Sequence, residues 1–368
     1  MNKESPFSLS WLLQELQVPA VLIAGIGLLA GLTALLGGSE LHVTVTELLI
    51  RVVIVVGIYV FVGNSGIISF GHIGLMAIGA YVAAWAECSP DWKDMALTGL
   101  PDFLRLHQYS FLVGLAGASV LVVVVALIFG VAILRLSGLA ASIATFAFLA
   151  LVYNVCANWD SVTGGTSSLV GIPTPIGPGW AFLGAALSIL AAYAFQRCGT
   201  GLMLRASRED PIAASAAGVH VFRVRLWAFV LSAVLVGAGG YLYANFLGVV
   251  AVESFYIDLT FLTLTMLVVG GMRSLSGAVL GVVVISAVSE ILRIGENGVP
   301  IHGMALSLPK GSQEIALGVI MVLILILRPS GITRGHEFRL AWRGVPRFRA
   351  MSARRPTVLA PPPAKPGP

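Results

Sequence analysis

The sequence predicts an all-α, polytopic integral membrane protein of about ten transmembrane helices, both termini cytoplasmic, with broken or re-entrant helices among them. Three observations predict it. Of 368 residues, 57% are hydrophobic and 11% charged, with a mean hydropathy of +0.94, whereas soluble domains carry about 25% charged residues. The apolar residues form solid runs instead of alternating, which argues against a barrel. The basic residues collect in one loop and in the C-terminal stretch, which is a topology signal and not a nucleic-acid footprint, although the pI is near 9.3.

A hydrocarbon core about 30 Å thick asks for roughly 20 mostly apolar residues per helix. Residues 1–18 form a polar N-terminal cytoplasmic segment containing Lys3, Glu4 and Glu15. Pro19 opens the first apolar run, and no Ala-x-Ala-like cleavage site follows it, so the run is read as a retained span. Runs fall at about 19–37, 44–62, 66–86, 110–134, 138–156, 178–196, 225–249, 256–271, 275–293 and 313–328. The loop 197–225 carries Arg197, Arg205, Arg208, Arg223 and Arg225 against Glu209 and Asp210, and from Arg328 onward nine basic residues face Glu337 alone. Both regions are assigned to the cytoplasm.

Ten spans then put Arg135 and Arg273 in inner turns and Glu40, Asp160, Glu253 and Asp258 outside. The outer connection 87–109 holds Glu87, Asp91, Asp94 and Asp102 against Lys93 and Arg105. The run before Arg273 is short, so one of the pair around it is a candidate half-helix. The transmembrane domain is 19–329. The Pro/Arg-rich segment 330–368, ending APPPAKPGP, is read as a mostly disordered cytoplasmic tail that either attracts anionic lipid or simply anchors orientation.

Cys88, Cys156 and Cys198 form no CxxC pair and no cluster with histidine, so no metal or redox site is expected. Packing is their simplest role; a Cys88–Cys156 disulfide on the outer side is the alternative. The chain lacks a G-x-x-x-x-G-K-[ST] phosphate loop, so energy must come from another chain or from a gradient, and no cofactor is expected.

Two segments carry the mechanism. In Gly63–Ala84, GNSGIISFGHIGLMAIGAYVAA, glycines at 63, 66, 71, 74 and 79 let helices approach closely or break. Asn64, Ser65, Ser69 and His72 there are candidates for the translocation path, with a purely structural hydrogen-bonding role for His72 as the alternative. In Gly199–Val219, GTGLMLRASREDPIAASAAGV, Asp210 suits an N-cap, Pro211 the first helical position and Gly218 a left-handed stop. The two-turn helix of Ile212, Ala213, Ala214, Ser215, Ala216 and Ala217 between them needs a partner surface for stability, unless it is only a connector.

With Asn158–Pro173, NWDSVTGGTSSLVGIP, and Gly270–Leu292, GGMRSLSGAVLGVVVISAVSEIL, these stretches resemble the LivM-type permeases of branched-chain amino-acid ABC importers over roughly residues 50–329. The N-terminal stretch and the Pro/Arg tail depart from the family pattern. The resemblance implies a permease subunit working with a second homologous permease, two separate ATP-binding subunits and an external substrate-binding protein, in the bacterial inner membrane. It also implies that the alanine-rich loop is the helix that docks in the ATPase, with Arg205, Arg208, Glu209, Asp210, Ala213, Ala214, Ala217 and Gly218 as contact candidates.

Membrane-embedded ionisable residues are further candidates, because burying one is costly. Glu47 and Arg51 stand at i and i+4 and neutralise each other, either as a structural pair near the membrane edge or as a site for a zwitterion; Glu290 and Arg293 form a similar pair. In the Gly-rich outer loop, Asp160 with Ser161, Thr163 and Thr166 offers one carboxylate, too few for an oxygen-ligand metal site. Asp160, Thr163, Gly164 and Gly165 are therefore read as an outer gate or a docking surface for a binding protein. The competing functions are a permease for urea or short amides, and a gradient-driven transporter or channel. The second would need poised acids within the membrane, which are few here. No carboxylate pair, metal cluster or nucleophile with its base points to an enzyme.

Overall fold

Small residues decide which face of each helix turns inward. In the computed structural model, Phe111–Ile133 buries Gly114, Ala118, Val122, Ala126, Gly130 and Ile133, one stripe at helical spacing, and leaves most of its large side chains outside. Leucine gains nothing by leaving lipid for protein, whereas small side chains let helix axes approach.

The structure describes residues 17–297, 299–301, 304–306, 309, 311–328 and 331–337. In chain order these form α1 Gln17–Leu36, α2 Ser39–Ser65, α3 His72–Glu87, α4 Pro90–Ala96, α5 Asp102–Arg105, α6 Phe111–Ile133, α7 Leu139–Asn158 and α8 Asp160–Thr163. Strand β1 Leu169–Val170, helices α9 Pro178–Arg197, α10 Gly199–Glu209, α11 Pro211–Ala216 and α12 Val221–Leu247, and strand β2 Val249–Val250 follow. A 3₁₀ turn at Val252–Phe255 leads to α13 Ile257–Gly270, α14 Leu275–Asn297, β3 Val299–Ile301, β4 Met304–Leu306 and α15 Ser312–Leu327.

The core is built on two 27-residue helices, α2 and α12. Helix α12 packs on α2, α3 and α6, while α2 also carries α9 and α14. Every residue of α2 from Val52 to Ser65 is buried. The α3–α12 crossing is made backbone to backbone: a Cβ on Gly79 would run into the carbonyl of Gly237, and one on Gly240 into that of Met76. The α13–α14 hairpin uses the same device, with Gly270 against Gly277 and Gly281 against Met266.

Seven of the described helices are long and apolar enough to cross a membrane. All ten expected runs form helices, but those at 19–37, 66–86 and 313–328, which become α1, α3 and α15, are not among the seven. The run at 66–86 reads as a span because Ile67, Ile68 and Phe70 are apolar, yet only His72–Glu87 is helical. Helix α2 instead continues to Ser65, where Gly66 takes the left-handed conformation at φ 75° and its N–H donates to Val62. Arg223 and Arg225, read as loop residues, lie in the first two turns of α12.

At the C-terminus, residues 331–337 fold against the α13–α14 turn. Ile332 N donates to Val269 O (2.9 Å), Thr333 Oγ1 lies 2.8 Å from Ser274 Oγ, and the Glu337 carboxylate accepts from the backbone N–H of Leu275 (2.8 Å) and Ser276 (3.0 Å). The first part of the expected tail is therefore a helix cap. The expectations for residues 1–16 and 338–368 lie outside the described residues.

Candidate functional site

The arginine-rich loop is more structured than its sequence suggests. Cys198, extended at ψ 157°, breaks the chain after α9, and α10 follows at once as an amphipathic helix that buries Gly201, Leu204 and Ser207. Asp210 then caps α11, its Oδ1 accepting from Ile212 N (2.8 Å) and Ala213 N (3.0 Å), with Pro211 at the first helical position and Gly218 left-handed at φ 89°. Ala214 is buried, whereas Ile212, Ala213, Ser215, Ala216, Ala217 and Gly218 are exposed.

This loop grips the end of α2. A helix C-terminus leaves carbonyls without intrahelical partners and carries partial negative charge, which favours cations. Arg208 donates to the carbonyl of Gly63, and Arg205 Nε donates to Asn64 Oδ1 (2.8 Å). Gly66 is required twice over, by its φ and because a Cβ would stand 2.9 Å from Arg208 Cγ. Burial, followed by the repulsion of Arg273, holds the Arg208 guanidinium below its ordinary pKa. Glu209 pairs with Arg273 of the α13–α14 turn at 2.6 Å, with both side chains exposed. The arginine loop and Arg273, both expected on the inner side from charge, thus meet residues 63–66 at one end of the bundle.

The path candidates divide. Asn64, Ser65, Ser69 and His72 are all buried. Asn64 and Ser65 line the break after α2, where Ser65 Oγ accepts from Ile67 N (3.2 Å). His72 spans α3 to α12: Nδ1 lies 2.8 Å from Ser69 Oγ and Nε2 lies 2.7 Å from Ser232 Oγ. Because the Ser232 hydroxyl donates to Gly57 O (2.6 Å), it accepts from His72 Nε2–H, and Nδ1 accepts from Ser69. The ring is fully engaged in holding helices together, so the structural reading of His72 is the one this geometry favours. Glu47 and Arg51 pair at 2.5 Å, and Arg51 reaches Ser286 of α14 (3.4 Å); Glu290 and Arg293 pair at 2.6 Å on that helix. Each charge has an opposite partner.

At the other end, the outer-loop candidates sit around α8. Asp160 is exposed, its carboxylate lying in the space that Gly165 leaves by lacking a Cβ. Gly164 and Gly165 have φ of 73° and 62°. Thr163 is buried, with its hydroxyl 2.6 Å from Cys156 O and 2.8 Å from Trp159 O, so it shapes the loop instead of facing a partner. The loop is tied down by β1–β2 pairing, Leu169 to Val250 and Val170 to Val249. Cys88 and Cys156 are buried and unpaired; Cys198 is exposed.

Sequence reading passed over the cation that organises this end. Lys93, fully buried, donates from Nζ to three carbonyls: Trp85 (3.1 Å), Leu104 (2.7 Å) and His107 (2.6 Å). Burial pushes its pKa below the ordinary lysine value. With Cys88 N on Ala84 O, Tyr109 N on Ala86 O and Gln108 Nε2 on Glu87 O, every terminal carbonyl of α3 is satisfied. Lysine within an exposed-looking acidic loop gave no signal of this.

A bundle of apolar helices packed through glycines, seven of the described ones long and apolar enough to cross a membrane, defines a multi-pass membrane protein. The family described as branched-chain amino acid transport system / permease component matches residues 40–327, and the chain belongs to it. The chain is 27% identical over 323 residues to the high-affinity branched-chain amino acid transport system permease protein LivM of Escherichia coli K12, covering 78% of this chain and 68% of that one; LivM of Salmonella typhimurium LT2 matches equally. The probable branched-chain amino acid transport permease protein LivH of Methanocaldococcus jannaschii is 29% identical over 138 residues, 36% of this chain and 40% of that one. No solved structure matches.

Proposed function

We propose that this permease is the membrane-spanning subunit of an ATP-binding-cassette importer for branched-chain or related hydrophobic amino acids, in a bacterial inner membrane. A second homologous permease completes the path, two ATP-binding subunits drive it, and an external substrate-binding protein delivers the solute to the end that carries Asp160. The chain itself has no ATPase site and acts as a transport subunit. The observation that carries the reading is the join between knob and bundle. Helix α11 presents exposed small side chains outward, while Arg205 and Arg208 of the adjoining α10 hold the end of α2 at its break. A push on α11 is thereby delivered to Asn64 and Ser65. In this orientation residues 330–368 are cytoplasmic, and 19–329 form the permease domain. The substrate class rests on the relatives named LivM and LivH; a urea or short-amide permease would share the same machinery.

Three experiments test this. Ala213→Trp, at an exposed position, leaves folding unchanged and abolishes co-purification of the ATP-binding subunits together with substrate uptake; retained association refutes the coupling role. Cys198, the exposed cysteine, reacts with a membrane-impermeant maleimide in inside-out vesicles and not in right-side-out ones. The opposite pattern would invert the topology. Uptake by this chain alone in proteoliposomes would favour a gradient-driven carrier instead.

A further inference from the structure

Between α2, α10 and α12, at the clamped end, lies a cavity of about 290 Å³ lined by Arg208, Arg225, Ser65, Ser207, Gly66 and Gly138, among others, with no carboxylate in its wall. Arg225 is 8% exposed, its Nε is enclosed, and it has no hydrogen-bond or ion-pair partner among the described residues. A buried charge without a partner is expensive unless something supplies the opposite sign. The acids nearby are already committed, Glu209 to Arg273 and Asp210 to the N–H groups of α11. Ser65 Oγ accepts from Ile67 N, which leaves its hydroxyl proton free to donate.

We infer that this cavity is an oxyanion site that takes a phosphate-class group, held by the forks of Arg225 and Arg208 with the Ser65 hydroxyl as a further donor. Both guanidinium groups line the same cavity, and no carboxylate lines it with them, so a single carboxylate entering there would match only one of the two. A phosphate carries more charge and enough oxygens for bidentate contact with both. The group is supplied either by free phosphate or by the headgroup of an anionic phospholipid at the bilayer edge. Bound there, it would brace the arginine clamp on α2. This inference does not depend on the transport reading.

The test uses the purified full-length chain. In one arm, its thermal midpoint is followed in detergent against inorganic phosphate, with chloride at equal ionic strength as the reference. In the other, phosphate-free nanodiscs of phosphatidylcholine are compared with nanodiscs containing phosphatidylglycerol. A rise with phosphate identifies the free anion, and a rise confined to phosphatidylglycerol identifies the headgroup. Arg225→Met, which removes an unpaired buried charge and so keeps the fold, weakens the response by about thirtyfold or more in apparent affinity. Arg225→Lys, keeping charge but losing the fork, gives an intermediate loss. Arg223→Met, the same charge change at an exposed position on the same helix, leaves the response intact. The inference is overturned if the wild type responds in neither arm, or if Arg225→Met responds like the wild type.

Discussion

The two ends of this bundle solve one problem with the same chemistry and different completeness. At one end, Lys93 sits on the C-terminus of α3 with all three protons on carbonyls and no exposed surface, and every carbonyl of the last turn has a donor. At the opposite end, Arg205 and Arg208 sit on the C-terminus of α2, half-buried, beside a cavity lined by an arginine without a partner among the described residues. A saturated cap has a single low-energy arrangement, whereas a cap with spare donors and open space has room to move. The difference teaches where a permease is stiff and where it is made to yield.

Lys93→Met breaks the stiff end and has the largest expected effect. It strips three carbonyls of a charged donor in a buried site, at a cost of about 3–5 kcal/mol. The measurement is the thermal or denaturant midpoint of the purified chain, with hydrogen exchange showing lost protection across residues 85–109. A loss under 1 kcal/mol would mean that water replaces the ammonium freely, and the contrast between the ends would fail.

Arg208→Met at the yielding end costs less, about 1–2 kcal/mol, because the guanidinium is only partly buried. Under the proposed coupling role its effect on transport is disproportionate: ATP hydrolysis by the assembled complex persists while uptake falls at least tenfold, as expected if α11 still docks but no longer moves α2. Equal loss of hydrolysis and uptake would place Arg208 in docking instead of transmission.

Why one end was legible in the sequence and the other was not follows from the kind of signal each uses. Asp210, Pro211 and Gly218 act through local backbone geometry, so their spacing announced α11 before any tertiary contact was known. The glycines of Gly63–Ala84 and Gly270–Leu292 announced close packing, though not that Gly79 meets Gly237. Lys93 acts through carbonyls brought together from α3, α5 and the loop after it, and a carbonyl has no residue identity to read. The length of α3 was misjudged for a related reason. Hydropathy sums Ile67, Ile68 and Phe70 into the run, while the stop is set by the conformation of one residue, Gly66. Helix α10 was missed because its short amphipathic pattern is interrupted by small residues, and Thr163 looked like a surface group because its partners are again main-chain oxygens.

The exposed pair Glu209–Arg273 sharpens the contrast from its low end. It joins α10 to the α13–α14 turn at 2.6 Å with more than half of each side chain in solvent, where an ion pair contributes about 0–1 kcal/mol and is screened by salt. Glu209→Gln should therefore leave the free energy of unfolding within about 0.5 kcal/mol of wild type. Arg273 is also the first charge that raises the cost of protonating Arg208, and Glu209 partly offsets it. Removing Glu209 leaves Arg205, Arg208 and Arg273 facing one another, so the remaining effect appears as a salt-dependent loosening of the clamp. Hydrogen exchange at residues 63–67 should rise at low ionic strength and return toward wild type at about 0.5 M salt, where the Debye length shrinks to a few ångströms. If exchange there is indifferent to salt, the clamp is held by its hydrogen bonds alone, and the charges around it set only the orientation of the chain.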